Sequence, residues 1–412
     1  MSPRWYKNLT ADGRRSVWSV SGGFVLDAMD VQLYAFVLPV LIGLWHLSPS
    51  RAGMLAAAAL ISGSIGGWIG GSLSDRLGRV RVLRATILWL AIATALCGLS
   101  SSYAQLMSAR ALQGAGFGAE WAVGAVLIGE ISSPATRGRV VSAVQSAWAL
   151  GWALAAITVG LALWYLPPDL GWRAAFFVGL VPAAAVFWLR ARLREAPHLA
   201  EAGKGADQWY VIFVAPVRAR TWRGILLATG THGGYWALAT WWPSMLRIER
   251  SMSALQATLH MGVLVAGSFG GYLLGGWLGD QIGRRITLAL LAVGGIVTVL
   301  AATLLPLSPL AFLGFSAAVG VFSVGLYGAT TPVLTELFPT RMRGSGLGFC
   351  YNVGRGLAGA GPLAVGSSVA SFGIAPSIGL YVSLAYCLVV VAAVLLPETR
   401  GRELASVVIA PA

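Results

Sequence analysis

The sequence predicts an all-α polytopic membrane protein with twelve transmembrane helices in two six-helix bundles, and three observations predict it. The 412 residues are 57% hydrophobic and only 11% charged, with a mean hydropathy of +0.74, whereas a soluble domain carries roughly 25% charged residues. Apolar stretches of about 20 residues, the length at which a helix crosses a bilayer, recur along the chain. The alternation in roughly ten-residue segments that marks a membrane β-barrel is missing, and 288–305 is almost continuously apolar. A short motif that closes the second stretch returns after the eighth.

The first six spans read as 17–44, 52–73, 82–100, 104–130, 140–166 and 172–190. The second six read as 223–246, 256–278, 286–305, 309–336, 345–370 and 376–396. This divides the chain into an N-terminal bundle (1–190), a polar, charged linker (191–222) and a C-terminal bundle (223–412). The net charge of +14 is a topology signal: 23 of the 29 Lys and Arg fall in the termini, the linker and alternate loops. Four (Arg51, Arg173, Arg247, Arg250) fall on the other side, and two (Arg110, Arg355) lie inside spans. Positive charge collects on the cytoplasmic face, which places both termini there and excludes nucleic acid as the partner of the basic charge. The amino-terminal apolar segment is too long for a cleaved signal peptide. Cys97, Cys350 and Cys387 lie in apolar stretches without metal-ligand spacing, and no disulfide framework is implied.

The repeat shows that the halves run parallel. Gly71, Leu73, Asp75, Gly78 and Arg79 recur as Gly276, Leu278, Asp280, Gly283 and Arg284. Glu130 and Glu336 each stand seven residues before an Arg-Gly pair, Arg137-Gly138 and Arg343-Gly344. Parallel repeats related by an axis normal to the membrane leave an interface between them, which is the natural solute path. Carboxylate, guanidinium and a following helix N-terminus attract one another at these loops. Asp75, Arg79, Glu130, Arg137, Asp280, Arg284, Glu336 and Arg343 are therefore read as conformational residues that bias opening and closing.

Ionisable groups inside the spans are functional candidates because charge is costly at the bilayer centre. In span one, Asp27 lies ~15 Å deep and Asp30 ~20 Å deep by the helical rise. Glu120 in span four, His232 in span seven and Arg355 in span eleven each reach ~14–15 Å. Four helices thus bring charge to one layer. Asp27, Asp30 and Tyr34 share one face of span one, and Arg110, Gln113 and Glu120 share one of span four. Span five adds Gln145 and Trp148, span seven His232, Tyr235 and Trp236, and span eleven Asn352 and Arg355.

A guanidinium keeps its charge, so in a low-dielectric cavity Arg355 needs an anion, and its fork matches a carboxylate. Asp27, Asp30 or Glu120 is its expected resting partner, and desolvation favours a carboxyl group that keeps its proton. Proton-coupled carboxylate uptake follows. Arg355, Asn352, His232, Tyr235, Gln145, Trp148 and Tyr34 are the substrate-binding candidates, and Asp27, Asp30 and Glu120 the proton-coupling ones. Trp121, Trp236, Trp241 and Trp242 are further cavity candidates. Plainer readings stand beside these: Asp27 and Asp30 as a structural pair, Glu120 neutralising Arg110, and His232 as a core histidine.

The loop pattern at 71–79, with its weaker copy at 276–284, resembles the signature loop of the major facilitator superfamily. Arg110-Ala-Leu-Gln113-Gly114 resembles that family's RxxQG element, and Glu195-Ala-Pro197 and Pro397-Glu398-Thr399-Arg400-Gly401 resemble its end-of-bundle motifs. Leu26-Asp27-Ala28-Met29-Asp30, the segment 116–125 (GFGAEWAVGA) and Tyr351-Asn352-Val353-Gly354-Arg355 are similar to elements of its organic acid:proton symporters. Ala119 stands where those relatives have a second Gly. The resemblance implies the major facilitator fold, symport of a small organic monocarboxylate with protons, and no cofactor. It also implies a functional monomer in the plasma (bacterial inner) membrane. A proton-driven exporter of cationic or neutral compounds is the alternative. No GxxxxGK[ST] loop occurs, so ATP drive is unsupported. No nucleophile–base constellation supports an enzyme.

Overall fold

The computed structural model describes residue 6 and residues 11–131, 137–191, 212–215, 217–339 and 342–400. Twelve helical spans follow one another among these residues. They are α1 (Ala11–Trp45), α2 (Pro49–Leu77), α3 (Arg79–Leu99), α4 (Tyr103–Ile131), α5 (Arg137–Tyr165) and α6 (Pro168–Val178 with Leu180–Ala191). Then come α7 (Arg218–Ser244, continued by the π-helical turn Met245–Glu249), α8 (Ala254–Ile282) and α9 (Arg284–Leu304). The last three are α10 (Pro309–Val319, the π turn Gly320–Val324, and Gly325–Glu336), α11 (Arg343–Ala358 with Ala360–Phe372) and α12 (Ile374–Leu395). The linker residues 192–211, with Glu195 and Pro197, lie outside the described residues.

The expected spans correspond to these helices with shifted ends. α1 begins at Ala11 rather than at 17, and α7 at Arg218 rather than at 223, because a helix does not stop where its sequence becomes polar. Spans six and eleven, expected to be continuous, each break once. Pro182 and Pro362 stand four residues after Val178 and Ala358, the last residues of the first segments. Each proline removes the hydrogen bond that would close that turn. Ser48 and Ser253 start α2 and α8 by accepting from the backbone N–H of Arg51 and Gln256, the usual service of an N-cap serine.

Among the described residues, nine helices are long and apolar enough to cross a bilayer by length and composition. Arg110 and Glu120 lie on α4, His232 on α7 and Arg355 on α11. Large apolar side chains face outward: Ile61, Ile65, Trp68 and Ile69 form one exposed stripe on α2, as a lipid-facing surface requires. The chain is an integral membrane protein.

The duplicated loops have the same backbone. Gly78 has φ 96° and ψ 149°, and Gly283 has φ 95° and ψ 157°. A positive φ is strained for residues with a Cβ, which explains why glycine occupies both positions. We call the end of the molecule that bears these two loops the motif end.

Contacts between the halves run mainly along three seams, α2 with α11, α5 with α8, and α1 with α7. The seams are tight at the end away from the motif loops. Cβ atoms at Gly53 and Gly366 would collide with the carbonyl oxygens of Pro362 and Pro49. Thr258 of α8 donates to Ala156 O of α5 at 3.4 Å. Towards the motif end the α2–α11 seam parts. Gly67 still faces Asn352, but one turn on, Gly71 and Gly348 have nothing within 4 Å of a Cβ position.

Three conformational candidates meet at the second motif loop. Arg284 bridges Asp280 at 2.8 Å and Glu336 at 3.0 Å. Thr399 also donates to Glu336, at 2.5 Å. Glu398 accepts the N–H groups of Arg284 and Arg285 at 2.9 and 3.2 Å, capping the first turn of α9. The side chains of Asp75, Arg79, Glu130, Arg137 and Arg343 lie outside the described residues. Burial pushes the Glu398 carboxyl up, but its backbone N–H bonds outweigh burial and hold it below the usual glutamate range. A lowered folded value means the cap stabilises fully above the unfolded glutamate pKa. That stabilisation is lost as pH falls through the folded value. Glu398→Gln should therefore flatten this acid limb of the unfolding curve. It should also speed amide hydrogen exchange at 284–288, measured by mass spectrometry.

Candidate functional site: a cationic aromatic cavity between the bundles

Arg355 lies on α11 three residues after Asn352, at i, i+3 spacing, and this places both on the face that crosses α2 and α4. The guanidinium is 1% exposed. Its Nη2 donates to Gly63 O at 2.6 Å and to Asn352 Oδ1 at 2.7 Å. Asn352 is held in turn, its Nδ2 donating to Gly348 O at 2.9 Å and its carbonyl accepting from the Ser64 hydroxyl. The rings of Phe117 and Tyr351 lie 4.8 and 5.9 Å from the Arg355 Cζ, a cation–π setting that tolerates a desolvated charge. Nε and Nη1 have no hydrogen-bond partner among the described residues.

The close approach rests on glycine. A Cβ at Gly118 would collide with Gly63 O and stand 2.8 Å from Arg355 Nη2, and one at Gly67 would collide with Asn352 Oδ1. Gly118→Val should lower the thermal midpoint of the purified protein, since overpacking costs typically 1–3 kcal/mol. Gly71→Val, which meets open space, should leave it unchanged.

Arg355 lines a cavity between the halves, with about 430 Å³ of empty space counting what opens to solvent. Phe24 of α1, Phe117 and Trp121 of α4, and Gln145 and Trp148 of α5 line one wall. His232, Tyr235 and Trp236 of α7, Tyr272 of α8, Tyr327 of α10 and Tyr351 of α11 line the other. Rings meet edge to face through much of the lining: Trp148 with Trp236 at 6.2 Å and 88°, and Tyr235 with Tyr327 at 5.4 Å and 86°. Polar atoms are anchored among them. The Trp148 indole donates to Tyr235 Oη at 2.6 Å, His232 Nδ1 shares a hydrogen with Tyr327 Oη at 2.7 Å, and the Gln145 amide donates to Thr331 Oγ1 at 3.4 Å. On the motif side of Arg355, Trp121 stacks on Tyr351 at 3.6 Å and 7°, so one aromatic pair bridges the halves where the α2–α11 seam parts.

The other candidates go to different places. Asp27 is fully buried and within electrostatic reach of Arg355. Asp30 and Glu120, both expected near Arg355, turn into the N-terminal bundle instead. Asp30 accepts from Thr94 at 3.0 Å, and Glu120 accepts from Thr86 at 2.7 Å. Arg110 bonds Gln113 Oε1, Gln113 Nε2 donates to Thr94 at 2.9 Å, and Thr94 closes the relay on Asp30. Asp30 rather than Glu120 is thus the acid associated with Arg110. Tyr34 donates to Ala52 O at 2.6 Å and lines a separate, smaller chamber with Arg110. Trp241 is taken up by Pro362 O, and Trp242 stacks on Phe312, so neither lines the central cavity. Phe24, Phe117, Tyr272 and Tyr327 were not singled out from sequence. The available signal was a tyrosine hydroxyl deep in an apolar span, which needs a polar partner when buried.

A cavity at the interface of two parallel-repeated bundles, closed at one end, is transport architecture, and the sequence comparison decides the family. Residues 20–362 match the Major Facilitator Superfamily. The chain belongs to that superfamily. It is a transporter and not an enzyme. A probable 4-methylmuconolactone transporter of Cupriavidus pinatubonensis is 38% identical over 96% of this chain and 93% of its own. A cis,cis-muconate transport protein of Acinetobacter baylyi is 31% identical over 83% and 84%. The xylose transporter XylE of E. coli, solved in a partially occluded inward open conformation, superposes with a TM-score of 0.75 at 18% identity, covering 96% of this chain and all of its own. That likeness shows the fold.

Proposed function

We propose that this superfamily member imports a small organic monocarboxylate together with at least one proton across the bacterial inner membrane, by alternating access. The observation that carries the reading is the Arg355 guanidinium in the central cavity, with Nε and Nη1 unmet among the described residues and aromatic rings around it. A permanent cation with vacant donors selects an anion. Edge-on and face-on rings select a flat or apolar body behind the carboxylate. The 4-methylmuconolactone and cis,cis-muconate named for the two relatives are organic acids, the second with two carboxylates. Asp27, within electrostatic reach of Arg355, is the coupling acid in this reading, and Asn352 and Gly63 hold the guanidinium in its waiting position. In this reading the motif end, where the positive charge collects, faces the cytoplasm. In that orientation the cavity is sealed from outside and separated from inside by the Trp121–Tyr351 pair.

Reconstituted protein tests this directly. With an inward proton gradient, proteoliposomes are screened with labelled lactate, pyruvate, nicotinate, benzoate and sialate. Accumulation of at least one acid above equilibrium, abolished by a protonophore, is the expected result. Transport of none of them, with gradient-driven efflux of a cationic dye instead, overturns the proposal in favour of an exporter.

A further inference from the structure

Beyond the central cavity, towards the sealed end, α1, α2, α4 and α7 enclose a second, much smaller space with room for about one water. Gln32 and Tyr34 of α1, Arg110 of α4 and Thr240 of α7 are its polar walls, and Trp236 of α7 divides it from the central cavity. Gln32 and Arg110 are 1% and 2% exposed, and Gln32 Nε2 and Arg110 Nε have no hydrogen-bond partner among the described residues. A buried donor left unmet costs its full desolvation, so both groups call for an acceptor.

Tyr34 calls for the opposite. Its hydroxyl donates to Ala52 O at 2.6 Å, so its oxygen has only lone pairs left to offer. An occupant must therefore accept from two N–H groups and donate to a phenol oxygen. A water does both, and a buried water typically makes about three hydrogen bonds to otherwise unsatisfied groups. A halide only accepts and would set its charge against those lone pairs. Nor is a counter-ion called for, because Arg110 is already linked to Asp30 through Gln113 and Thr94.

We propose that one ordered water fills this space, accepting from Gln32 Nε2 and Arg110 Nε and donating to Tyr34 Oη and the Thr240 hydroxyl. Gln32, Tyr34 and Arg110 belong to the N-terminal bundle and Thr240 to the C-terminal one, so the water ties the halves together across the α1–α7 seam. Parting that seam at the outer end breaks the bridge and releases the water. The bridge thus stabilises only the closed outer end, whatever the cargo is.

A structure of the full-length protein closed at the outer end, from crystals grown in bromide and at a resolution that shows individual waters, reads the site. The expected result is one peak, without anomalous signal, about 3 Å from Gln32 Nε2, Arg110 Nε, Tyr34 Oη and Thr240 Oγ1. An anomalous bromide peak there, or no peak, overturns the proposal, and a peak out of reach of Thr240 overturns the bridge. Radiolytic hydroxyl-radical footprinting in nanodiscs asks the same in solution, because radicals formed from a bound water oxidise the side chains beside it. Tyr34 should be oxidised at least tenfold faster than Tyr386, which is as deeply buried and lines neither space. Ala56→Val and, independently, Ala35→Val put methyl groups into the space and should bring Tyr34 down to the rate of Tyr386. Equal rates in the wild-type protein, or fast oxidation that survives both substitutions, overturn the ordered water.

Discussion

Arg355→Ala is expected to abolish carboxylate uptake while leaving the protein folded and monodisperse in detergent. The side chain is buried at the cavity wall, and among the described residues its hydrogen bonds reach only Gly63 O and Asn352. Truncation therefore removes few structural contacts but leaves a bound anion without its counter-charge. Losing one partner of a buried, hydrogen-bonded charge pair costs about 2–5 kcal/mol. At 1.4 kcal/mol per tenfold change, affinity falls by roughly 30-fold or more. Arg355→Lys keeps the charge but replaces a planar fork with a point charge, so it should recover part of the binding. It should also be less tolerant of bulky acids, because an ammonium cannot donate to Asn352 and Gly63 and keep the same reach into the cavity. Labelled-acid binding to the three purified forms ranks them; equal affinity in all three would remove Arg355 from the site.

Asp27→Asn is expected to separate accumulation from exchange. Asp27 is the acid within electrostatic reach of Arg355, whereas Asp30 and Glu120 are engaged by Thr94 and Thr86 inside the N-terminal bundle. An amide reproduces the protonated carboxyl in shape and neutrality but exchanges no proton. The variant should stay locked in the loaded state of the coupling group. Proteoliposomes should then lose gradient-driven accumulation and retain counterflow of labelled against unlabelled acid. Accumulation that persists in Asp27→Asn and is lost in Asp30→Asn would move the coupling role to the Arg110 relay.

Much of this was legible in the sequence because the bilayer imposes simple rules. Twenty-residue apolar stretches fix the spans, and the 71–79 and 276–284 repeat fixes the parallel relation of the halves. It also anticipates the matching φ of Gly78 and Gly283. Depth was legible too, since the helical rise brought Asp27, Glu120, His232 and Arg355 to one layer. Direction around each helix axis was harder. Asp30 and Glu120 reach a suitable depth but face α3, and sequence spacing within a helix does not say which neighbour a stripe meets. The aromatic wall from α8 and α10 was missed for the same reason: Tyr272 and Tyr327 have no polar stripe on their own helices to betray them. The breaks at Gly179 and Gly359 follow from Pro182 and Pro362, which sit inside apolar stretches whose hydropathy does not mark them. Gly63, Gly67 and Gly118 look like ordinary small residues of membrane helices until Arg355 and Asn352 are seen crossing them.

The most direct test is a structure of the protein with a transported acid bound, in nanodiscs. The account predicts carboxylate density within about 3 Å, hydrogen-bonding distance, of Arg355 Nε or Nη1, with the body of the ligand among Phe117, Trp148 and Tyr327. Ligand density elsewhere, with those two nitrogens still unmet, would contradict it.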